Sequence, residues 1–177
     1  MDTYISMLRG VNVSGQKKIK MQELSDLYAS LGFKDIQTYV QSGNVVFGHT
    51  GKDAASLEES IHKAMQEAFG FEVRVFVRTR AELQELVDNN PFAARGESKL
   101  HVTFLASQPA AVPVEEFDEA REGDEDFSVS GREIYLFCPD GYGRTKLSNA
   151  FFERKLKVAA TTRNWRTVNA LLSIANG

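Results

Sequence analysis

The chain has 177 residues, 42% of them hydrophobic and 25% charged, with a formal net charge of −3 at pH 7. These values sit near the averages for globular proteins and argue against both bulk disorder and membrane residence. A chain of this length buries about 70% of the surface it exposes when unfolded, so it needs no disulfide or metal staple.

Tyr4 to Val13 is rich in strand formers and leads into a polar loop, Asn12 to Lys20, holding Ser14, Gly15 and three lysines. Met21, Leu24, Leu27, Tyr28 and Leu31 then recur at helical spacing, and Gly32 supplies a stop. Two strand-like runs in Ile36 to Phe47, broken at Ser42-Gly43, read as a β-hairpin. Ser56 and Glu59 have capping-box spacing at the start of a second helix, with Leu57, Ile61, Ala64, Met65 and Ala68 on one face and a stop at Gly70. Val73, Val75 and Val77 alternate with Arg74, Phe76 and Arg78. Residues 3–78 thus follow the order β-α-β-β-α-β of the ferredoxin-like arrangement.

Thr79 and Glu82 repeat the capping-box spacing before a third helix, which the Asn90-Pro91 pair ends. Leu100 to Ala106 is a strand. Glu115 to Asp126 gathers eight acids around one base, Arg121, and reads as a short solvated helix or loop. Phe127 to Val129 and Glu133 to Cys138 form a hairpin around Ser130-Gly131, followed by the turn Pro139-Asp140-Gly141. Leu147, Phe151, Phe152 and Leu156 make one helical face. Trp165, Val168, Leu171 and Leu172 define the last helix, with Thr161 or Thr162 as its expected N-cap. The fold class expected is α+β: a ferredoxin-like half at 1–79 and a second mixed half at 80–177 ending in two helices, packed as one compact unit.

Cys138, the single cysteine, allows no intrachain disulfide and falls at a buried strand position. His49, His62 and His101 are scattered, so neither a metal site nor a cofactor is expected. The opening MDTYISMLRG lacks a basic region followed by an apolar run, and no apolar stretch is long enough to span a bilayer, which points to the cytoplasm.

Charge patterning gives the best functional clue. Between Arg144 and Arg166 the bases Arg144, Lys146, Arg154, Lys155, Lys157, Arg163 and Arg166 face one acid, Glu153. Gly141, Gly143, Thr145 and Lys146 lack the order of a nucleotide-binding loop. Anion binding at the helix beginning near Leu147 remains open, beside ordinary capping. Thr161 to Trp165 is expected to open the last helix, where Arg163 could clamp a phosphate or pair with an internal acid, while Trp165 reads as a core anchor. Arg9, Asn12, Lys17, Lys18 and Lys20 cluster at the end of the first strand and could complete a concave positive surface, or be solvated loop cations.

The strings LRGVNVSGQKKIKM from Leu8 and YVQSGNVVF ending at Phe47 closely resemble the opening of a bacterial family known as domain of unknown function 1697. NPF at Asn90 to Phe92 and GRTKLSNAFFERKLKVAATTRNWRTV from Gly143 resemble its later signatures. The resemblance implies an α+β fold and bacterial cytosolic origin; it carries no substrate.

The leading expectation is a protein that binds an anionic ligand (a phosphorylated metabolite, a nucleotide or a short nucleic acid) through Arg144, Lys146 and Arg163, oriented by Asn149 and Asn164, with Arg9, Asn12 and Lys17 contributing from the first loop. Two alternatives stand beside it: an enzyme acting on a phosphate ester, and an interaction module or homodimer joined through the acidic and basic segments. Extended nucleic-acid contact is disfavoured by the negative net charge and the absence of an aromatic recognition motif.

Overall fold

The computed structural model describes residues 1–177. The fold is α+β, with six α-helices and two four-stranded antiparallel sheets. The chain separates into two compact units, one of Met1–Glu85 with Asn169–Gly177 and one of Leu86–Val168. No helix is long and apolar enough to cross a membrane.

The first unit contains β1 (Asp2–Leu8), α1 (Met21–Ser30), β2 (Lys34–Tyr39), β3 (Asn44–His49), α2 (Ala54–Phe69) and β4 (Val75–Thr79), with strand order β2-β3-β1-β4. The helix-facing side of its sheet is an aromatic core. Tyr28 meets Phe33 and Phe47 edge-on at 5.6 and 5.5 Å, and the Tyr28 hydroxyl lies 2.7 Å from Ser6 Oγ. Burial pushes the Tyr28 phenol well above its ordinary pKa, so it stays a neutral hydrogen-bonding group. The alternate residues Ile5, Met7, Val46 and Phe76 are also buried, so β1 is out of solvent on both faces. Edge strand β4 has its Val77 N–H satisfied by Glu58 Oε1 at 2.9 Å, which blunts one exposed pairing group.

The second unit repeats this plan. Its elements are β5 (Leu100–Leu105), α4 (Val114–Ala120), β6 (Asp126–Ser130), β7 (Glu133–Phe137), α5 (Asn149–Leu156) and β8 (Ala160–Asn164), in strand order β6-β7-β5-β8. The registers correspond as well: the pairs Tyr4↔Thr79, Ile5↔Arg78 and Ser6↔Val77 find counterparts in His101↔Asn164, Val102↔Arg163 and Thr103↔Thr162. A helix follows the fourth strand in each case, α3 (Arg80–Asp88) and α6 (Trp165–Ala175). The core here centres on Phe117, whose ring meets Phe127, Phe151 and Phe152 at 5.2 to 5.6 Å.

Capping agrees with the sequence at some helix starts and corrects it at others. Thr79 and Glu82 form both bonds of a capping box, Thr79 N–H to Glu82 Oε2 at 2.8 Å and Glu82 N–H to Thr79 Oγ1 at 3.1 Å. Helix α2 is capped by Asp53, whose carboxylate accepts from Ser56 N–H, rather than by Ser56. The largest correction is at the end of the chain. Thr161 and Thr162 do not cap a helix; they lie in β8, where β-branched residues fit the pleat, and α6 starts at Trp165. Its cap is Asn164, whose Oδ1 accepts from Thr167 N–H at 2.8 Å.

The loop after β1 is itself a small hairpin. Gln16 N–H donates to Val13 O at 2.8 Å and Asn12 N–H to Lys17 O at 3.1 Å. Ser14 and Gly15, between them, have φ of 49° and 73°, the positive pair of a type I′ turn. The Asn12 side chain fixes this hairpin by accepting from Ile19 N–H at 2.8 Å and donating to Ile19 O and Gln41 O at 2.9 and 2.7 Å.

Gly43 in the β2–β3 turn has two constraints. Its φ is +82°, and a Cβ there would stand 2.8 Å from Leu8 Cβ. Gly70 at the end of α2 has φ +76° but open space around it. Gly43→Ala is therefore expected to destabilise by about 3 kcal/mol, strain plus steric displacement, and Gly70→Ala by about 1 kcal/mol from strain alone. Urea denaturation of the two variants measures the difference; equal losses would remove the steric part of the account.

Candidate functional site

Bases of the C-terminal segment are drawn into separate contacts. Lys146 pairs with Glu122 at 2.9 Å and Lys155 pairs with Glu116, both partners coming from the acidic stretch. Glu122 raises the pKa of Lys146, as an ion-pair partner should. Arg121 spends its charge on Asp118 and Asp126 at 3.3 and 3.5 Å, and Arg95 reaches Asp126 at 3.1 Å. Arg154 and Lys155 occupy the last turn of α5, where cations offset the helix dipole. With Lys157 and Glu116 they border an open cleft of about 440 Å³.

Arg163 is buried in β8. One guanidinium nitrogen donates to Thr161 Oγ1 at 2.9 Å and to Thr162 O at 3.1 Å. Burial lowers its pKa to about 10, which still leaves it cationic at pH 7. Asn149 accepts from Thr162 Oγ1 at 2.7 Å. The helix start near Leu147 is closed by its own side chains: Thr145 Oγ1 accepts from Leu147 N–H and Ser148 Oγ from Phe151 N–H. Arg144 is exposed on a short 3-10 turn, Tyr142–Arg144, and makes no ion pair. In the first unit, Arg9 follows β1 and its N–H donates to Arg74 O, Asn12 is the hairpin's clamp, and Lys17 Nζ donates to Glu72 O at 2.7 Å.

A different group of residues converges within the second unit. Glu97, Ser98, His101, Asn164 and Arg166 line a cleft of about 460 Å³, a volume that suits a small molecule. The β5–β8 ladder sets His101 directly opposite Asn164. Residues Glu97–Lys99 form a 3-10 turn leading into β5, and Arg166 lies in the first turn of α6, which carries no acid. Arg166 is exposed and in no ion pair. Of the residues that the sequence singled out, Asn164 lines this cleft, and so does Arg166, the last base of the C-terminal run. Sequence reasoning passed over His101 and Ser98, because an isolated histidine on a strand and a serine before it match no motif; only their position opposite the start of α6 brings them together.

His101 is the unusual member. Its ring stacks on Tyr142 with centroids 4.9 Å apart, and its Nδ1 is out of solvent with no hydrogen-bond partner. Burial lowers its pKa below the ordinary imidazole value, so the ring is neutral at pH 7. In the first unit the position matching His101 is Tyr4, whose hydroxyl donates to Lys52 O at 3.0 Å. The same place in the repeated plan is thus satisfied in one unit and left open in the other. Cys138, just past the end of β7, is buried, and burial with Glu125 nearby pushes its thiol up to about 11, which makes it unreactive.

A family described as "Protein of unknown function (DUF1697)" matches residues 1–135. Among solved structures the chain is similar to the conserved bacterial protein SP0830 from Streptococcus pneumoniae, at 21% sequence identity with a TM-score of 0.74 over 98% of each chain. That likeness concerns the fold. No curated protein matches.

The depressed His101 pKa has a consequence for stability. Above about pH 6.5 imidazole is neutral in both folded and unfolded chains; below it the unfolded chain takes up a proton that the buried ring resists. The melting temperature is expected to fall as pH drops from about 6.5 toward the lowered folded value, and His101→Phe should flatten that slope. Thermal denaturation from neutral to mildly acidic pH tests this, and an unchanged slope in the variant would place the acid sensitivity elsewhere.

Proposed function

This chain belongs to the DUF1697 family of proteins of unknown function, and from that starting point we propose that its second unit binds a small anionic ligand, a phosphorylated metabolite or nucleotide, in the cleft of Ser98, His101, Asn164 and Arg166. The supporting observation is an uncompensated guanidinium, Arg166, in the first turn of a helix. A cation there is unfavourable by about 0.3–1 kcal/mol unless an anion accompanies it. Ser98 and the Asn164 amide add neutral hydrogen-bonding groups, and an acceptor on the ligand can take a hydrogen bond from the N–H of the neutral His101 ring. Glu97 on the same cleft repels a bare polyanion but accepts from hydroxyl or amino groups. The set therefore fits a phosphorylated sugar or nucleoside better than inorganic phosphate.

Relative to the expectation from sequence, the reading keeps the anion and moves the site. Arg144 stands in solvent, Lys146 is paired, and Asn149 and Arg163 serve the framework of the second unit. The strand orders β2-β3-β1-β4 and β6-β7-β5-β8 also support reading each unit as a ferredoxin-like fold. Cytoplasmic residence in a bacterium belongs to the same reading.

A second reading, an enzyme acting on a phosphate ester, draws on the neutral His101 ring as a general base within the cleft. Its weakness is that Nδ1 has no partner, whereas a general base is usually oriented by a hydrogen bond to its second nitrogen. Binding without turnover is the better supported function.

A thermal-shift series with AMP, glucose 6-phosphate and pyrophosphate is the test. At about 100-fold excess over Kd a ligand stabilises by about 2.7 kcal/mol, a shift of several degrees for a chain of this size. Stabilisation by the phosphorylated sugar or nucleotide should disappear in Arg166→Ala and in Asn164→Asp, which keeps the helix cap but adds a repelling charge. It should persist in Arg144→Ala. No shift with any probe, or a shift lost only in Arg144→Ala, would refute the cleft.

A further inference from the structure

Two of the large hydrophobic side chains left in solvent flank one hydrogen bond of the first unit. Asn12 Nδ2 donates to Gln41 O at 2.7 Å; beside Asn12 is Val13, 55% exposed, and beside Gln41 is Val40, 50% exposed. Isolated exposed valines need no explanation. Val40 does, because its φ is +52°, a conformation that a β-branched residue adopts only under constraint. Strain is thus held where it keeps an apolar side chain in water. The same hairpin carries Lys17, Lys18 and Lys20, all exposed and none in an ion pair. Its type I′ turn and the three bonds of Asn12 fix the backbone beneath them, so little ordering is left to do on docking.

The complementary surface is present in the second unit. Helix α4 opens with Val114, 49% exposed. Glu115 and Glu119, four residues apart on one helical face, are exposed and in no ion pair, whereas Glu116 and Asp118 are committed to Lys155 and Arg121.

We propose that the hairpin surface of one molecule, Val13 and Val40 framed by Lys17 and Lys18, docks on α4 of a second copy of this chain, against Val114, Glu115 and Glu119. A nucleic acid would use the lysines but gains nothing from exposed valines, and Tyr39, next to Val40 in the chain, is half-buried. An acidic lipid surface would be anchored by bulkier groups than valine. A second copy offers apolar and acidic groups together. Because the two surfaces differ, the contact either closes reciprocally as a dimer or continues head to tail.

Sedimentation velocity over a protein concentration series, at ionic strengths of about 0.01 and about 1 M where the Debye length is about 30 and about 3 Å, reads the association. Salt is expected to weaken it at least about tenfold. Lys17→Glu with Lys18→Glu, and separately Glu115→Lys with Glu119→Lys, should each give a folded monomer, the first with a slightly lowered melting temperature because the exposed Lys17 bond to Glu72 O is lost. Mixing the two variants should restore association, since each then meets an opposite charge. Val40→Asn relieves the backbone strain, so its melting temperature should rise while association falls; a purely structural role for Val40 would leave association unchanged. A wild-type monomer under all conditions overturns the proposal, as does association that survives both charge reversals or the Val40 change. Binding of a monomeric wild type to duplex DNA or to phosphatidylserine vesicles, lost in the lysine variant, would give the hairpin to that other partner and equally overturn it.

Discussion

Antiparallel pairing of β5 with β8 in a single register decides what the second unit can present to a ligand. The ladder sets His101 opposite Asn164 and Val102 opposite Arg163. Side chains alternate across a strand, so a slip of one residue would exchange every inward for every outward group. In the register observed, Asn164 ends the strand, caps α6 and borders the cleft, while Arg163 is withdrawn into the protein. The helix cap and the cleft therefore share one residue, and the geometry of the site follows from the same hydrogen bonds that hold the sheet edge.

The two units build one plan with different side chains. At matching positions, Tyr4 anchors its hydroxyl on Lys52 O and stacks on Phe47, whereas His101 stacks on Tyr142 with a nitrogen unpartnered. Buried polar atoms are nearly always satisfied, so an open one at a position satisfied in the sister unit sets the two units apart. The first unit diverges at the loop after β1, where the second has no comparable clamped hairpin: Ala106 to Pro113 leads to α4 without a second type I′ turn.

Electrostatics follow the same division. The acids of residues 115–126 are partly consumed by Lys146, Lys155, Arg121 and Arg95 within their own unit, so a run of basic residues in sequence overstates the positive charge available. Cations without a carboxylate include Arg144, Arg154, Lys157 and Arg166 in the second unit and Lys17, Lys18 and Lys20 in the first. Exposed pairs contribute little to stability, yet they determine which charges are left for a ligand or a partner.

By itself the sequence determined the local structure: the helical faces, the Gly70 stop, the Thr79–Glu82 capping box, both hairpins and the burial of Cys138 and Trp165, because period, turn chemistry and capping are encoded within a few residues. It also carried the family likeness. It did not reveal that the second unit repeats the first, since topology is preserved there by pairing while the side chains have changed, nor that Thr161 and Thr162 belong to a strand, a choice made by β5 from about 60 positions away in sequence, beyond any local pattern. Only the tertiary structure decided which residues line the cleft. Whether an arginine is buried, paired or free depends on which distant acid or strand it meets, and His101, Asn164 and Arg166 become neighbours through a sheet register that no spacing along the chain discloses.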